Sequence, residues 1–143
     1  MTDEATTESS GVPTPMYVLE APTPLARSMV WHLQRTFYSD QGIEAWSRSH
    51  VPQSVTTSPI IAHAYARLVL AFLRDMRAAV DLSQPVYVVE LGAGSGRFAY
   101  RFLKAFTALL EDAPAQKPRF VYVMTDASPS VVEYWRDNPR LGP

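Results

Sequence analysis

Two acids and three alternating glycines are the residues whose types and spacing suit a ligand-binding chemistry. In Glu90-Leu91-Gly92-Ala93-Gly94-Ser95-Gly96 a carboxylate stands two places before the first of three glycines set at every second position. Glycine admits φ > 0 and lets a ligand approach the bare backbone. The next segment, Arg97-Phe98-Ala99-Tyr100-Arg101-Phe102-Leu103, has helical spacing. The turn therefore opens a helix, whose free N–H groups and positive dipole end suit an anionic group. Asp126 follows a second apolar run, Phe120–Met124. A carboxylate there can accept several hydrogen bonds; capping a helix that begins near Ser128 is a competing role. His32, His50 and His63 are not a helical turn apart and there are no cysteines, so the spacing offers no metal site. No Ser-His-Asp or paired-carboxylate arrangement stands out.

These residues need particular elements to hold them. Val86-Tyr87-Val88-Val89 is a β-branched, apolar run that suits a strand buried on both faces, as in a parallel sheet. The helix after the glycines is expected to bury Phe98, Phe102, Phe106 and Leu109 and to expose Arg97, Arg101, Lys104 and Glu111. Asp112–Pro118 connects it to the second strand, Phe120–Met124. Ser128-Pro129 then starts another helix over Val131–Arg136. Upstream, Thr23-Pro24 and Ser58-Pro59 are cap-plus-proline helix starts. The first predicts a helix to about Phe37 with Leu25, Met29, Leu33 and Phe37 as its buried stripe. The second predicts a long helix to about Val80, with Ile61, Tyr65, Leu68, Phe72, Met76 and Val80 along one face and Val69 and Leu73 beside them. A short helical turn is expected at Ile43–Trp46.

The glycine spacing departs from the dinucleotide fingerprint G-x-G-x-x-G, whose third glycine would fall where this chain has Arg97. With its acid before the first glycine, the stretch instead resembles motif I of the class I S-adenosylmethionine-dependent methyltransferases. That resemblance implies a role for each matching residue. Glu90 would help hold the methionine end of S-adenosyl-L-methionine. The backbone of Gly92, Ala93 and Gly94 would lie against its methionine and ribose portions, and Gly96 would permit close packing where the helix begins. Asp126 would take the ribose hydroxyls, with Ala127 and Ser128 near the adenine. Asp126 follows Glu90 at a longer interval than the ~20 residues of the compact dinucleotide unit; the long helix and the Asp112–Pro118 loop take up the difference. Thr56-Thr57-Ser58-Pro59-Ile60-Ile61 and Asp126-Ala127-Ser128-Pro129 are similar to stretches of MidA-type methyltransferases. That resemblance spans Val55–Trp135 and would bring Thr57 and Ser58 toward the methionine end; Ser58 as a plain N-cap is the competing reading.

Composition bounds the rest. The chain has 143 residues, 13 Lys+Arg against 14 Asp+Glu and a net charge of −1, an ordinary globular balance for one domain at most. There is no basic excess for nucleic acid. The longest apolar run, Leu68–Leu73, is far short of the roughly 20 residues that span a bilayer. Neither a signal nor a transit peptide fits the acidic N-terminus, so a cytoplasmic location is expected. The expected fold is α/β, the Rossmann-like start of a class I methyltransferase with only its first two parallel strands. Residues 1–15 are expected to be a disordered tail, 16–84 an N-terminal helical cap and 85–143 the start of the cofactor domain. The implied activity is methyl transfer to a protein or small-molecule acceptor, with the catalytic residues outside what the motifs reach. A missing C-terminal portion or a dimer partner would complete the sheet. The rivals are a dinucleotide-binding oxidoreductase domain and a non-catalytic interaction module.

Overall fold

The computed structural model describes residues 17–76, 78–79, 81, 83–112 and 119–140. A 3₁₀ turn at Leu25–Arg27 precedes α1 (Val30–Gln41), α2 (Glu44–Ser47), α3 (Pro59–Asp75), β1 (Val86–Leu91), α4 (Arg97–Glu111), β2 (Phe120–Thr125) and α5 (Pro129–Asp137). β1 and β2 pair in parallel, from Val86 opposite Phe120 to Leu91 opposite Thr125. The described chain is thus mixed α/β: a two-stranded parallel sheet with five α-helices. The expected N-terminal tail and most of the α4–β2 connection lie outside the described residues.

The sheet is covered on one face. Val86, Val88, Phe120 and Tyr122 pack against a core of Ala62, Ala66, Leu73, Phe102, Phe106 and Leu110. Aromatic rings run through this core. Phe102 and Phe106 stack at 5.4 Å, and Phe106 meets Phe120 edge-on at 4.9 Å. Tyr122 lies 5.2 Å from Phe102. Such pairs add about 0.5–1.5 kcal/mol each beyond their area burial. On the other face Tyr87, Val89 and Leu91 are 63%, 55% and 83% exposed. The expectation of a strand buried on both faces is therefore corrected, because all the described packing lies on one side of it.

Two helices also differ from expectation. α3 begins as expected, with Ser58 Oγ accepting from the Ile60 N–H at 3.2 Å and Pro59 in the first turn. It ends at Asp75, and Val80 lies outside the described residues. It buries Ala62 and Ala66 together with Leu73, which stands beside the predicted stripe, and leaves Leu68 65% and Phe72 55% exposed on the stripe itself. Small side chains let α3 approach α4 closely, and the α4 phenylalanines fill the space between. α1 starts at Val30, not at Thr23. The Thr23 hydroxyl donates to the Ala21 carbonyl at 2.8 Å instead of capping. Glu20 performs the capping from outside the helix, accepting from the Met29 N–H at 3.0 Å and from the Ser28 hydroxyl. No residue of α1 is buried, so its predicted stripe Leu25, Met29, Leu33 and Phe37 is not one.

Candidate ligand-binding site

The carboxyl ends of β1 and β2 are tied together before any ligand is considered. The Ala93 N–H donates to the Thr125 carbonyl at 2.8 Å, and Thr125 Oγ1 donates to the Glu90 carbonyl at 2.8 Å. Between these bonds and α4 runs the glycine turn. Gly92, Gly94 and Gly96 have φ of +69°, +53° and +70°, conformations that side chains rarely adopt. Gly96 is the left-handed N-cap of α4, and its N–H closes the turn on the Ala93 carbonyl at 2.9 Å.

The glycines differ in what surrounds them. A Cβ on Gly92 would meet nothing within 4 Å, so its α-carbon is open to a ligand. A Cβ on Gly94 would stand 2.9 Å from Cζ2 of Trp46. Gly94 is enclosed by this chain's own side chains. Its N–H donates to Asp126 Oδ2 at 3.0 Å, its carbonyl accepts from the buried Trp135 indole at 2.9 Å, and Trp46 lies on its α-carbon.

The two acids occupy different environments. Glu90 is half-buried and accepts from the Tyr122 hydroxyl at 3.0 Å. Burial holds its carboxyl above the usual carboxylate range, and the tyrosine hydrogen bond offsets part of that. The Tyr122 phenol is pushed far up by burial, by the adjacent Glu90 charge and by donating to it. Asp126 uses both oxygens structurally: besides Gly94, it accepts the Ser128 N–H at Oδ1, 3.0 Å away. The second bond closes a local turn onto Ser128, itself the N-cap residue of α5, and reaches none of the first-turn N–H groups, so the helix-capping role is not realised; a second acceptor site remains on each oxygen.

Two clefts open around this turn. The first, about 740 Å³, is bounded by Glu90, Gly92–Ser95 and Phe98, by Gln53, Thr56 and Thr57 of the loop before α3, and by Ile61 and Tyr65 of α3. The second, about 370 Å³, lies between Gln34, Arg35, Tyr38 and Ser39 of α1 and Asp126, Ala127 and Ser128 after β2. Gly92 and Trp46 line both. The sequence-derived residues Glu90, Gly92, Ala93 and Gly94 gather at the first cleft, and Asp126 and Ala127 at the second. Gly96 stays in the helix cap. Ser58 lines neither cleft and serves as the α3 cap; Thr56 and Thr57 line the first in its place. Ser128 is buried, and its hydroxyl bonds the Tyr38 carbonyl and Ser130 Oγ rather than capping α5.

Several participants carried no sequence signal of their role. Gln53 Oε1 accepts from the Ser95 hydroxyl at 2.7 Å and pins the loop before α3 to the glycine turn. Arg101, expected on the exposed face of α4, is half-buried and donates to the Thr57 carbonyl. Tyr38 and Trp46 stack at 5.4 Å with 19° between their planes. None of these follows from a motif: the Gln53–Ser95 and Arg101–Thr57 contacts join segments far apart in sequence, and the Tyr38–Trp46 stack is set by the turn between α1 and α2.

Comparison with protein-family models, curated proteins and solved structures gives no match for the chain. No helix among the described residues is long and apolar enough to cross a membrane. Those residues also bring no three His, Asp or Glu together in a metal-binding group.

Proposed function

We propose that this chain carries the cofactor-binding half of an S-adenosylmethionine-dependent methyltransferase with a Rossmann-like arrangement, acting on a protein or small-molecule acceptor. One observation carries the reading: acids at the carboxyl ends of two adjacent parallel strands border two clefts that meet at the open α-carbon of Gly92. Ligands of open α/β sheets bind in the crevice at those strand ends.

The residues present suit such a cofactor in part. Glu90 is a half-buried carboxylate that burial destabilises when charged; a cationic ammonium or sulfonium beside it would relieve that cost. Asp126 keeps acceptor capacity for ribose hydroxyls after its two backbone bonds. Gly92 leaves room for close approach, whereas Trp46 occupies the approach at Gly94 that the family resemblance would use. The cofactor would therefore cross the turn at Gly92. When bound, S-adenosylmethionine supplies an electrophilic methyl group on its sulfonium. This chain's own residues would hold and orient it; Glu90 would balance charge, and the loop fixed by Gln53 and Arg101 forms one side of the first cleft.

The enclosure of Gly94 favours one other reading, a turn held for its own sake in a non-catalytic interaction module. Calorimetric titration of S-adenosylmethionine and its demethylated product separates the two. Glu90→Gln is the control of choice, because Asp126→Ala would also release two backbone N–H groups. Saturable binding weakened about tenfold by Glu90→Gln is expected, the size of one lost charge-assisted contact. A folded chain that takes up neither ligand leaves the interaction module.

A further inference from the structure

Part of the first cleft lies away from the glycine turn, in a bay between α3, β1 and α4 that no motif marks. Its walls are Ile61, Tyr65 and Val69 of α3, Val88 of β1, and Phe98 and Phe102 of α4. Tyr65 and Phe98 meet edge-on at 5.8 Å. Among the described residues that line the cleft, Glu90 is the one with a charge. The polar side chains around it are engaged with one another. The Thr56 and Thr57 hydroxyls donate to the Gln53 carbonyl at 3.4 and 2.7 Å. The Ser95 hydroxyl donates to Gln53 Oε1, and the Tyr122 hydroxyl to Glu90. These four hydroxyls have spent their protons inside the protein, while their oxygens can still accept.

Resting on the methyl-transfer reading for the role of its ligand, we propose that this bay binds the methyl acceptor, and that the acceptor is an uncharged, largely apolar small molecule carrying a hydroxyl. Charge excludes the alternatives. An anionic body would face the Glu90 carboxylate with no cationic side chain lining the cleft to offset it. A Lys or Arg side chain of a protein substrate would need Glu90 as its counter-ion, and on the methyl-transfer reading Glu90 serves the cofactor's cation. A charge brought into the bay without a partner is strongly disfavoured. A neutral hydroxyl needs only an acceptor. Tyr122, 5.2 Å from the Phe102 ring and bonded to Glu90, offers one on its phenol oxygen. The rest of the ligand would lie against Tyr65, Phe98 and Ile61, where apolar area is removed from water on both sides. The cleft, about 740 Å³, is in the upper part of the range for drug-sized ligands, which leaves space beside a cofactor's methionine end. On this view α3 does more than cover α4: its first two turns set acceptor specificity.

The test is calorimetric titration of 2-naphthol, 2-naphthoate and phenethylammonium into the full chain, with and without excess S-adenosylmethionine, whose own uptake is measured alongside. Ile61→Glu and Tyr65→Ala are the variants, with circular dichroism and the thermal midpoint as checks on folding. Both positions are exposed, at 38% and 54%, and Ile61→Glu decides alone if Tyr65→Ala fails to fold. Saturable binding of 2-naphthol is expected, weakened at least tenfold by Ile61→Glu and about fivefold by Tyr65→Ala. With S-adenosylmethionine present, 2-naphthoate and phenethylammonium should each bind at least tenfold more weakly than 2-naphthol. If 2-naphthol behaves so and S-adenosylmethionine is not taken up, the apolar bay stands as a ligand site and the methyl-transfer reading falls. If S-adenosylmethionine binds, the acceptor assignment is overturned by any of three results: no uptake of 2-naphthol, equal uptake by Ile61→Glu, or a charged probe that binds as well as 2-naphthol. The methyl-transfer reading would survive each of these. A folded chain that takes up neither S-adenosylmethionine nor 2-naphthol overturns both.

Discussion

Glu90 combines local constraint with latent chemistry. It faces the covered side of β1, donates nothing, and has the Tyr122 hydroxyl as its hydrogen-bond partner among the described residues. Burial raises its folded pKa above that of the unfolded chain. The sign follows from linkage: the folded state binds its proton more tightly, so the contribution to stability is fully present below the unfolded pKa. That contribution is lost as pH rises from the unfolded pKa through the folded one. Glu90→Gln preserves shape and can still accept from Tyr122 while removing the charge. Without ligand, the variant should therefore melt above the parent at pH 7, and the two midpoints should converge below about pH 4, under the ordinary glutamate pKa. Parallel midpoint curves across this range would show that Glu90 is not destabilised by burial. A cationic ligand should reverse the order at pH 7, because it restores what the charged carboxylate lacks.

At the scale of elements, α3 decides between two apolar faces. Ile61, Tyr65, Leu68, Phe72 and Met76 are the larger side chains and make the more visible stripe, yet Ala62, Ala66 and Leu73 are the buried ones. Ala66→Glu would place an unpaired charge between α3 and α4 and should cost several kcal/mol. Leu68→Glu should stay within about 0.5 kcal/mol of the parent, since that position is 65% exposed. Urea unfolding of both variants tests this, and a larger loss in Leu68→Glu would reverse the assignment of faces. The comparison shows what was legible in the sequence. Strand, glycine turn, helix and second strand could be read from Val86–Thr125 because their signals are local: a β-branched run, three glycines and a helical repeat of phenylalanines. The start of α3 was legible for the same reason, as Ser58-Pro59 is a local signal. The start of α1 was not, because its cap is Glu20, several residues upstream. Which face of α3 is buried depends on its neighbour, and side-chain size alone ranks the faces the wrong way round. The site divides likewise: the two acids and Gly92 were legible, whereas Trp46 over Gly94 and Gln53 on Ser95 are long-range contacts without periodicity.

On the scale of the whole molecule, the one-sided sheet leaves apolar surface in water. Tyr87, Val89 and Leu91 of β1 are joined on the same face by Val121, itself 41% exposed. Contiguous patches of this kind are rare on monomeric proteins and promote association. The net charge of −1 supplies little repulsion to oppose it. The purified chain should therefore show a sedimentation coefficient that falls on dilution. Because Tyr87 and Val121 are direct partners in the register, Tyr87→Lys with Val121→Glu puts opposite charges side by side on that face, an arrangement a sheet tolerates or gains from by about 0.2–1 kcal/mol. Neither position lines a cleft. The double variant should fold with the parent's circular dichroism and sediment as a monomer at every concentration. A parent that is already monomeric throughout would mean that the outer face is too small or too interrupted to drive association. Loss of folding in the double variant would mean that the face contributes to the stability of the single chain, contrary to its exposure. Val89 and Leu91 of the same face also line the first cleft, so the charges are placed at Tyr87 and Val121, which line neither cleft, and the α3–α4 core on the other face is left unchanged.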